Sequence, residues 1–221
     1  MPIRDVTKRT KNTVRYLVPS PKNGRVITCE STLERDMILR LEFAPEVVSY
    51  EEQAKRIQVP FLPKAFNTIP DFEVVLMTGE IIYIEVKYKS SALKRIDRLM
   101  ATEAHLQEIG FAYHVMTEKE IRPCQMILSN LLYLKAFKER SANSIYELEE
   151  SAPIKPTTFG ELAGTLGRNT VVEMIAHQLV FIDLYQPIQL NSIIKPLTDG
   201  DYDYLYPIPF RLNNRMSSLA A

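Results

Sequence analysis

The stretch IPDFEVVLMTGEIIYIEVKYK, residues 69–89, reads as two strands joined by a tight turn at Thr78-Gly79. Residues two apart on a strand share a face, so Ile81, Tyr83, Glu85 and Lys87 point one way and Ile82, Ile84, Val86 and Tyr88 the other. Glu85 and Lys87 then stand about 6.6 Å apart along one strand. Asp71 opens the preceding strand, and the hairpin brings its carboxylate beside Glu85. Two acids with a lysine alongside suit a hard divalent cation, which takes oxygen ligands. An ion pair across the end of a sheet explains the same residues. Pro70-Asp71 is the only Pro-Asp in the chain, and Glu85-Val86-Lys87 its only acid-x-Lys.

Upstream, Ser31 and Glu34 form an S-x-x-E capping box for a helix over 31–43, with Pro45 after its end. On a helical wheel Glu34 falls inside the apolar arc of Leu33, Met37, Ile38 and Leu41. Glu34 therefore has two readings, a cap that completes the box with Ser31 or an acid aimed inward, which a metal-binding or catalytic role explains better. Residues 47–59 read as one strand, 92–109 as a helix stopped by Gly110, and 111–116 as a short apolar strand. A helix from about Cys124 to Arg140 closes the domain. The order α-β-β-β-α-β predicts a mixed sheet flanked by helices.

Residues 149–157 read as a linker with two prolines. Helices over 159–166 and 170–178, a turn at 167–169 and a small hairpin over 180–194 follow, the order of a winged helix-turn-helix. The expected domains are a basic arm over 1–28, a catalytic domain over 29–148, the linker, a winged helix over 158–197 and a tail over 198–221.

The 221 residues carry no net charge, with 46% hydrophobic and 24% charged side chains, as in ordinary globular proteins. The charge is unevenly spread. Residues 1–27 hold Arg4, Lys8, Arg9, Lys11, Arg15, Lys22 and Arg25 against Asp5 alone. A basic arm on a neutral body suits a polyanion, or is simply a solvated terminus. No apolar run is long enough to span a bilayer, and no signal-peptide core opens the chain. Cys29 and Cys124 make no metal-type pair, so free thiols in a reducing cytoplasm are expected. His105, His114 and His177 lack ligand spacing, and phosphate-loop, dinucleotide and nucleophile-elbow motifs are missing.

ESTLERDMILRLEFAPEVVSYEEQ (30–53) together with residues 69–89 resembles the TnsA family of transposon endonucleases. The likeness covers about residues 20–195 in element order. It implies a restriction-endonuclease-like domain followed by a C-terminal winged helix. It implies Glu34, Asp71, Glu85 and Lys87 as catalytic residues, with Asp71, Glu85, the Val86 carbonyl and Glu34 around one or two Mg²⁺ ions, for which Mn²⁺ can substitute. Some relatives carry glutamine where this chain has Glu85. The implied activity is hydrolysis at the 5′ ends of a mobile element in a bacterial cytoplasm. The implied partners are transposon-end DNA, an integrase-type transposase (TnsB-like) and an AAA+ ATPase regulator (TnsC-like), with no membrane. Lys8, Arg9, Lys11, Arg15, Lys22, Arg25 and Lys89 are the expected DNA-backbone contacts, and Lys94, Arg95 and Arg98 extend that edge. A free-standing restriction or repair nuclease, and a non-catalytic DNA-binding assembly subunit, are the competing readings.

Overall fold

The computed structural model describes residues 14–138 and 155–198. It separates into two compact units, meeting in the chain between Pro123 and Cys124. Of the expected segments, Lys8, Arg9, Lys11 and the 198–221 tail beyond Thr198 lie outside the described residues.

In the first unit the elements are β1 (Tyr16–Ser20), β2 (Arg25–Cys29), α1 (Thr32–Phe43), β3 (Val47–Glu52), β4 (Ile57–Val59), β5 (Phe66–Thr68), β6 (Phe72–Leu76), β7 (Ile81–Val86), α2 (Lys89–Leu93), α3 (Ile96–Glu108), β8 (Ala112–Met116) and α4 (Glu118–Ile121). The central sheet runs β3-β6-β7-β8. Its first three strands are antiparallel, and β8 joins β7 in parallel after the α3 crossover. The expected α-β-β-β-α-β order is thus the order of α1, β3, β6, β7, α3 and β8.

Both faces of this sheet are covered, which is why β7 is apolar nearly throughout. On one face Ile82, Ile84 and Val86 join Phe72, Val74 and the α1 residues Leu33, Met37, Ile38 and Leu41 in one core. On the other, Tyr83, Tyr113 and Val115 pack with Leu99 and Leu106 of α3 and with Ile57 and Val59 of β4. Side-chain alternation along β7 therefore sends odd positions towards α3 and even ones towards α1.

Three local readings are corrected. Residues 16–29, placed mostly in the expected basic arm, are folded: β1 and β2 form a hairpin in register Val18↔Ile27, turning at Gly24 with φ 61°. Its inward face docks on α1 through a buried polar cluster, in which Ser20 Oγ and Tyr50 Oη both donate to Glu42 Oε1. The single strand expected over 47–59 breaks at Gln53, whose φ is 47°, and β4 leaves to pair with β5. The helix expected over 92–109 is split around Lys94 and Arg95 into α2 and α3.

The second unit holds α5 (Gln125–Lys138), β9 (Thr157–Thr158), α6 (Phe159–Leu166), α7 (Arg168–Ala176), β10 (Val180–Phe181) and β11 (Ile193–Pro196). Its three short strands form an antiparallel sheet in the order β10-β11-β9. Helix α6 starts from a capping box in which Thr158 Oγ1 accepts from the Glu161 amide and Glu161 Oε2 accepts from the Thr158 amide. Gly160 lies where a Cβ would meet the Leu190 carbonyl oxygen at 3.0 Å, so a side chain here would need that backbone to give by a few tenths of an ångström. Helix α5 packs against α7 within this unit. Asn130, buried on α5, donates to the carbonyls of Leu184 and Gln186, each at 2.9 Å. No helix among the described residues is long and apolar enough to cross a membrane.

Candidate functional site

The β6–β7 register pairs Phe72 with Ile84, so Asp71 stands one step further out, opposite Glu85. Asp71 Oδ2 accepts from the Val86 amide at 2.7 Å, which fixes the carboxylate at the mouth of the hairpin. Lys87 leaves the end of β7 and folds back. Its Nζ lies 2.6 Å from Glu85 Oε1, 3.2 Å from Asp71 Oδ2 and 3.2 Å from the Val86 carbonyl oxygen. Two carboxylates and one backbone carbonyl therefore converge on one ammonium group. Met116 on β8 closes the strand end, its carbonyl accepting from the Lys87 amide at 3.1 Å.

Glu34 reaches the same end of the sheet from α1 but stays in its cap. Glu34 Oε1 accepts from Ser31 Oγ at 2.8 Å and Glu34 Oε2 from the Glu30 amide at 2.9 Å. It makes no ion pair with Lys87. Glu34 is a capping residue whose charge is felt at Glu85, and which itself feels the charge of Asp71.

The electrostatics follow from burial. Removal from water raises the proton affinity of Glu85, and the neighbouring Asp71 raises it further against the opposing pull of Lys87, so Glu85 titrates at about 7. Burial likewise raises Asp71, while Lys87 and the Val86 amide lower it. Burial raises Glu34, with the Asp71 charge adding to it. For Lys87, burial lowers the proton affinity, but Asp71 and Glu85 outweigh it and the ammonium form is held. Two acids thus share one lysine in a poorly hydrated place with the Glu34 charge nearby, an excess of negative charge that a bound cation would relieve.

A hard cation has oxygen donors here in Asp71, Glu85 and the Val86 carbonyl. Glu85 Oε2 is buried and has no hydrogen-bond partner, a cost that a cation would remove. The residues fit Mg²⁺ as a set of two carboxylates and a carbonyl. They do not form a cage of three acids: no group of three or more His, Cys, Asp or Glu side chains among the described residues is arranged to hold a metal ion. Glu34, tied in its cap, is the member that stays apart.

Two of the basic residues expected to contact DNA, Lys22 and Arg25, have side chains engaged in the fold. Lys22 Nζ caps the end of α1, donating to the Leu41 carbonyl at 2.8 Å and the Ala44 carbonyl at 2.5 Å. Arg25 forks onto Glu52, with Nη1–Oε1 2.9 Å and Nη2–Oε2 2.6 Å. Arg15 is half-buried just before β1. Lys89 opens α2, its amide held by Glu118 Oε2 at 2.7 Å, two residues beyond Lys87.

Sequence reasoning missed two neighbours. Glu30, before the α1 cap, acts on Asp71 through its charge. Tyr113, opposite Tyr83 on β8, has its hydroxyl's proton affinity raised by burial and then by the charges of Glu85 and Asp71. Strand alternation carries the signal for Tyr113, since it shares the Tyr83–Glu85 face once β8 is paired with β7.

Scanned against protein-family models and against curated proteins, the chain matches none.

Proposed function

We propose that this protein is a Mg²⁺-dependent DNA endonuclease of a transposition machinery, hydrolysing phosphodiester bonds at the 5′ ends of the element beside a partner transposase. The observation that carries this reading is the convergence of Asp71 Oδ2, Glu85 Oε1 and the Val86 carbonyl on Lys87 Nζ, next to an unpartnered Glu85 Oε2. The mixed β3-β6-β7-β8 sheet, with its parallel β7–β8 pair joined through α3, supports a restriction-endonuclease-like fold. The order α5-β9-α6-α7-β10-β11, with three antiparallel strands, supports a winged helix-turn-helix whose first helix is α5. The resemblance to TnsA proteins between residues 30 and 90 supplies the transposon setting, the TnsB-like transposase and the TnsC-like ATPase.

Asp71, Glu85 and the Val86 carbonyl would hold the ion. When bound, Mg²⁺ neutralises charge on the phosphate and lowers the pKa of a bound water. Glu85 must lose its proton to act as a ligand. Lys87, beside both carboxylates, would orient the attacking water and stabilise the negative charge that develops on the phosphate oxygens. Glu34 caps the start of α1 and keeps the local field negative. In-line attack leaves a 3′-hydroxyl and a 5′-phosphate.

The test is cleavage at the element's ends by the assembled complex with Lys87→Ala or Asp71→Ala in place of the parent chain. Loss of 5′-end cutting, with 3′-end cutting by the transposase intact, is expected. Unchanged 5′ cutting overturns the assignment. A second reading, a non-catalytic assembly subunit, is favoured by the saturation of Lys87, whose contacts resemble a structural ion-pair cluster. Retained transposition in Asp71→Ala would select it.

A further inference from the structure

The β4–β5 hairpin has no place in the chemistry above, yet it is the most unusual surface of the first unit. Residues 54–68 contain Lys55, Arg56 and Lys64 and no acid. The tip is apolar and outside: Leu62 is 94% exposed and Phe61 38%. Isolated exposed leucines are ordinary. This one stands at the end of a hairpin, between two prolines and close to an exposed lysine, and no other large apolar side chain among the described residues is as open to water.

The hairpin is anchored on α3. Phe61 stacks edge-on against Phe66 at 5.6 Å between ring centres, and the Arg98 guanidinium lies over Phe66 at 4.5 Å. Ile57 and Val59 share a core with Leu99 of α3. This packing joins the hairpin's basic residues to a second basic segment. Residues 87–98 carry Lys87, Lys89, Lys94, Arg95 and Arg98 against Asp97 alone. Lys64, Lys94, Arg95 and Arg98 are all exposed, and none of the four forms an ion pair among the described residues. Both segments grow from the strands that make the candidate site: β5 ends at Thr68, three residues before Asp71, and α2 begins at Lys89, two residues after Lys87.

We infer that the β4–β5 hairpin and the α2–α3 junction form one duplex-DNA-binding surface, with Leu62 entering a groove and Lys64, Lys94, Arg95 and Arg98 tracking the phosphates on either side. The inference deepens the endonuclease reading and rests on it for the choice of DNA as the polyanion. Unpaired exposed cations beside an exposed apolar wedge are the chemistry with which proteins hold and deform a groove. The planar guanidinium of Arg98, already oriented by the Phe66 ring, is pre-set to take a phosphate through two N–H groups. This surface replaces part of the role expected of Lys22 and Arg25, whose side chains are occupied in the fold.

The experiment is fluorescence anisotropy of the full chain with a labelled short duplex, in EDTA, across a series of salt concentrations. EDTA removes the metal, so binding is read apart from cleavage. Lys64→Gln with Arg98→Gln is expected to weaken binding about tenfold or more, and to flatten the log–log salt dependence by about one for each phosphate left unneutralised. Leu62→Ala is expected to weaken binding several-fold with the salt slope unchanged. Being at an exposed tip, it should melt at the parent temperature, which keeps the test clear of misfolding. Parent affinity and slope in these variants overturns the proposal. Unchanged DNA affinity together with failure to bind the partner transposase also overturns it, in favour of a protein-docking hairpin. Lys87→Ala serves as the separating control. If it still cuts, the nuclease chemistry fails while the surface is judged on binding alone.

Discussion

Lys87 Nζ lies 2.6 Å from Glu85 Oε1 although both side chains leave the same face of one strand, because Lys87 sits past the last paired residue of β7 and its chain is free to fold back. The same fold-back brings Nζ to Asp71 Oδ2 and the Val86 carbonyl. The lysine thus neutralises the two carboxylates that the proposed function assigns to a divalent ion. Lys87 is the counter-charge of the metal-free fold and, in the proposed function, a participant in the chemistry.

Lys87→Ala is predicted to destabilise the metal-free protein by about 3 kcal/mol at pH 8, since it strands two largely buried carboxylates. Millimolar Mg²⁺ should recover more of that loss in the variant than it adds to the parent. Thermal melts with and without Mg²⁺ check this.

The pH dependence follows from the raised Glu85. Its folded-state pKa of about 7 lies above the ordinary 4.5, so between these values the folded chain binds more protons than the unfolded one. Stability of the metal-free protein therefore falls as pH rises from about 4.5 to about 7, by on the order of 3 kcal/mol from this group. Glu85→Gln should remove that slope. Lys87 has the opposite sign of charge and a raised pKa, so its contribution is whole throughout this range and is lost only in strong alkali. Urea midpoints measured from pH 5 to pH 8 check both.

Glu34→Gln keeps an acceptor for the Glu30 amide and removes the charge. It should cost at most about 1 kcal/mol of stability, the scale of one capping interaction. Cutting is predicted to fall about tenfold or more, because the local field that attracts the cation weakens. Normal cutting by this variant would assign Glu34 to the cap alone.

Lys22→Ala and Arg25→Ala should each lower stability by about 1 kcal/mol, the first by uncapping the end of α1 and the second by removing the fork onto Glu52. Their DNA affinity should stay near the parent's. A drop matching that of Lys64→Gln with Arg98→Gln would return them to the DNA-binding surface.

Much of the central sheet could be read from local signals. Ser31 and Glu34 announced α1, Thr78-Gly79 the β6–β7 turn, and the alternation of Tyr83, Glu85 and Lys87 the face of the site. What escaped was set by contacts remote in sequence. Pro19-Ser20-Pro21 looks like turn chemistry, yet β1 pairs through Pro19 opposite Val26 because Ile27 and Cys29 bury against α1. Gln53 carries a left-handed backbone without glycine, so nothing local marked the end of β3. Helix α5 has an apolar stripe that suits either unit, and the carbonyls of Leu184 and Gln186 that engage Asn130 lie more than fifty residues on. In the site, spacing indicated the Asp71–Glu85–Lys87 cluster but could not tell that Glu34 spends both carboxylate oxygens on its cap.

The most direct test of the central claim is a calorimetric titration of the full chain with Mn²⁺ at two pH values. An ion held by Asp71 and Glu85 should bind saturably with release of protons, more weakly below pH 7, and not at all in Asp71→Asn or in Glu85→Gln. Binding that survives both substitutions, or a parent chain that binds no Mn²⁺ at millimolar concentration, would contradict it.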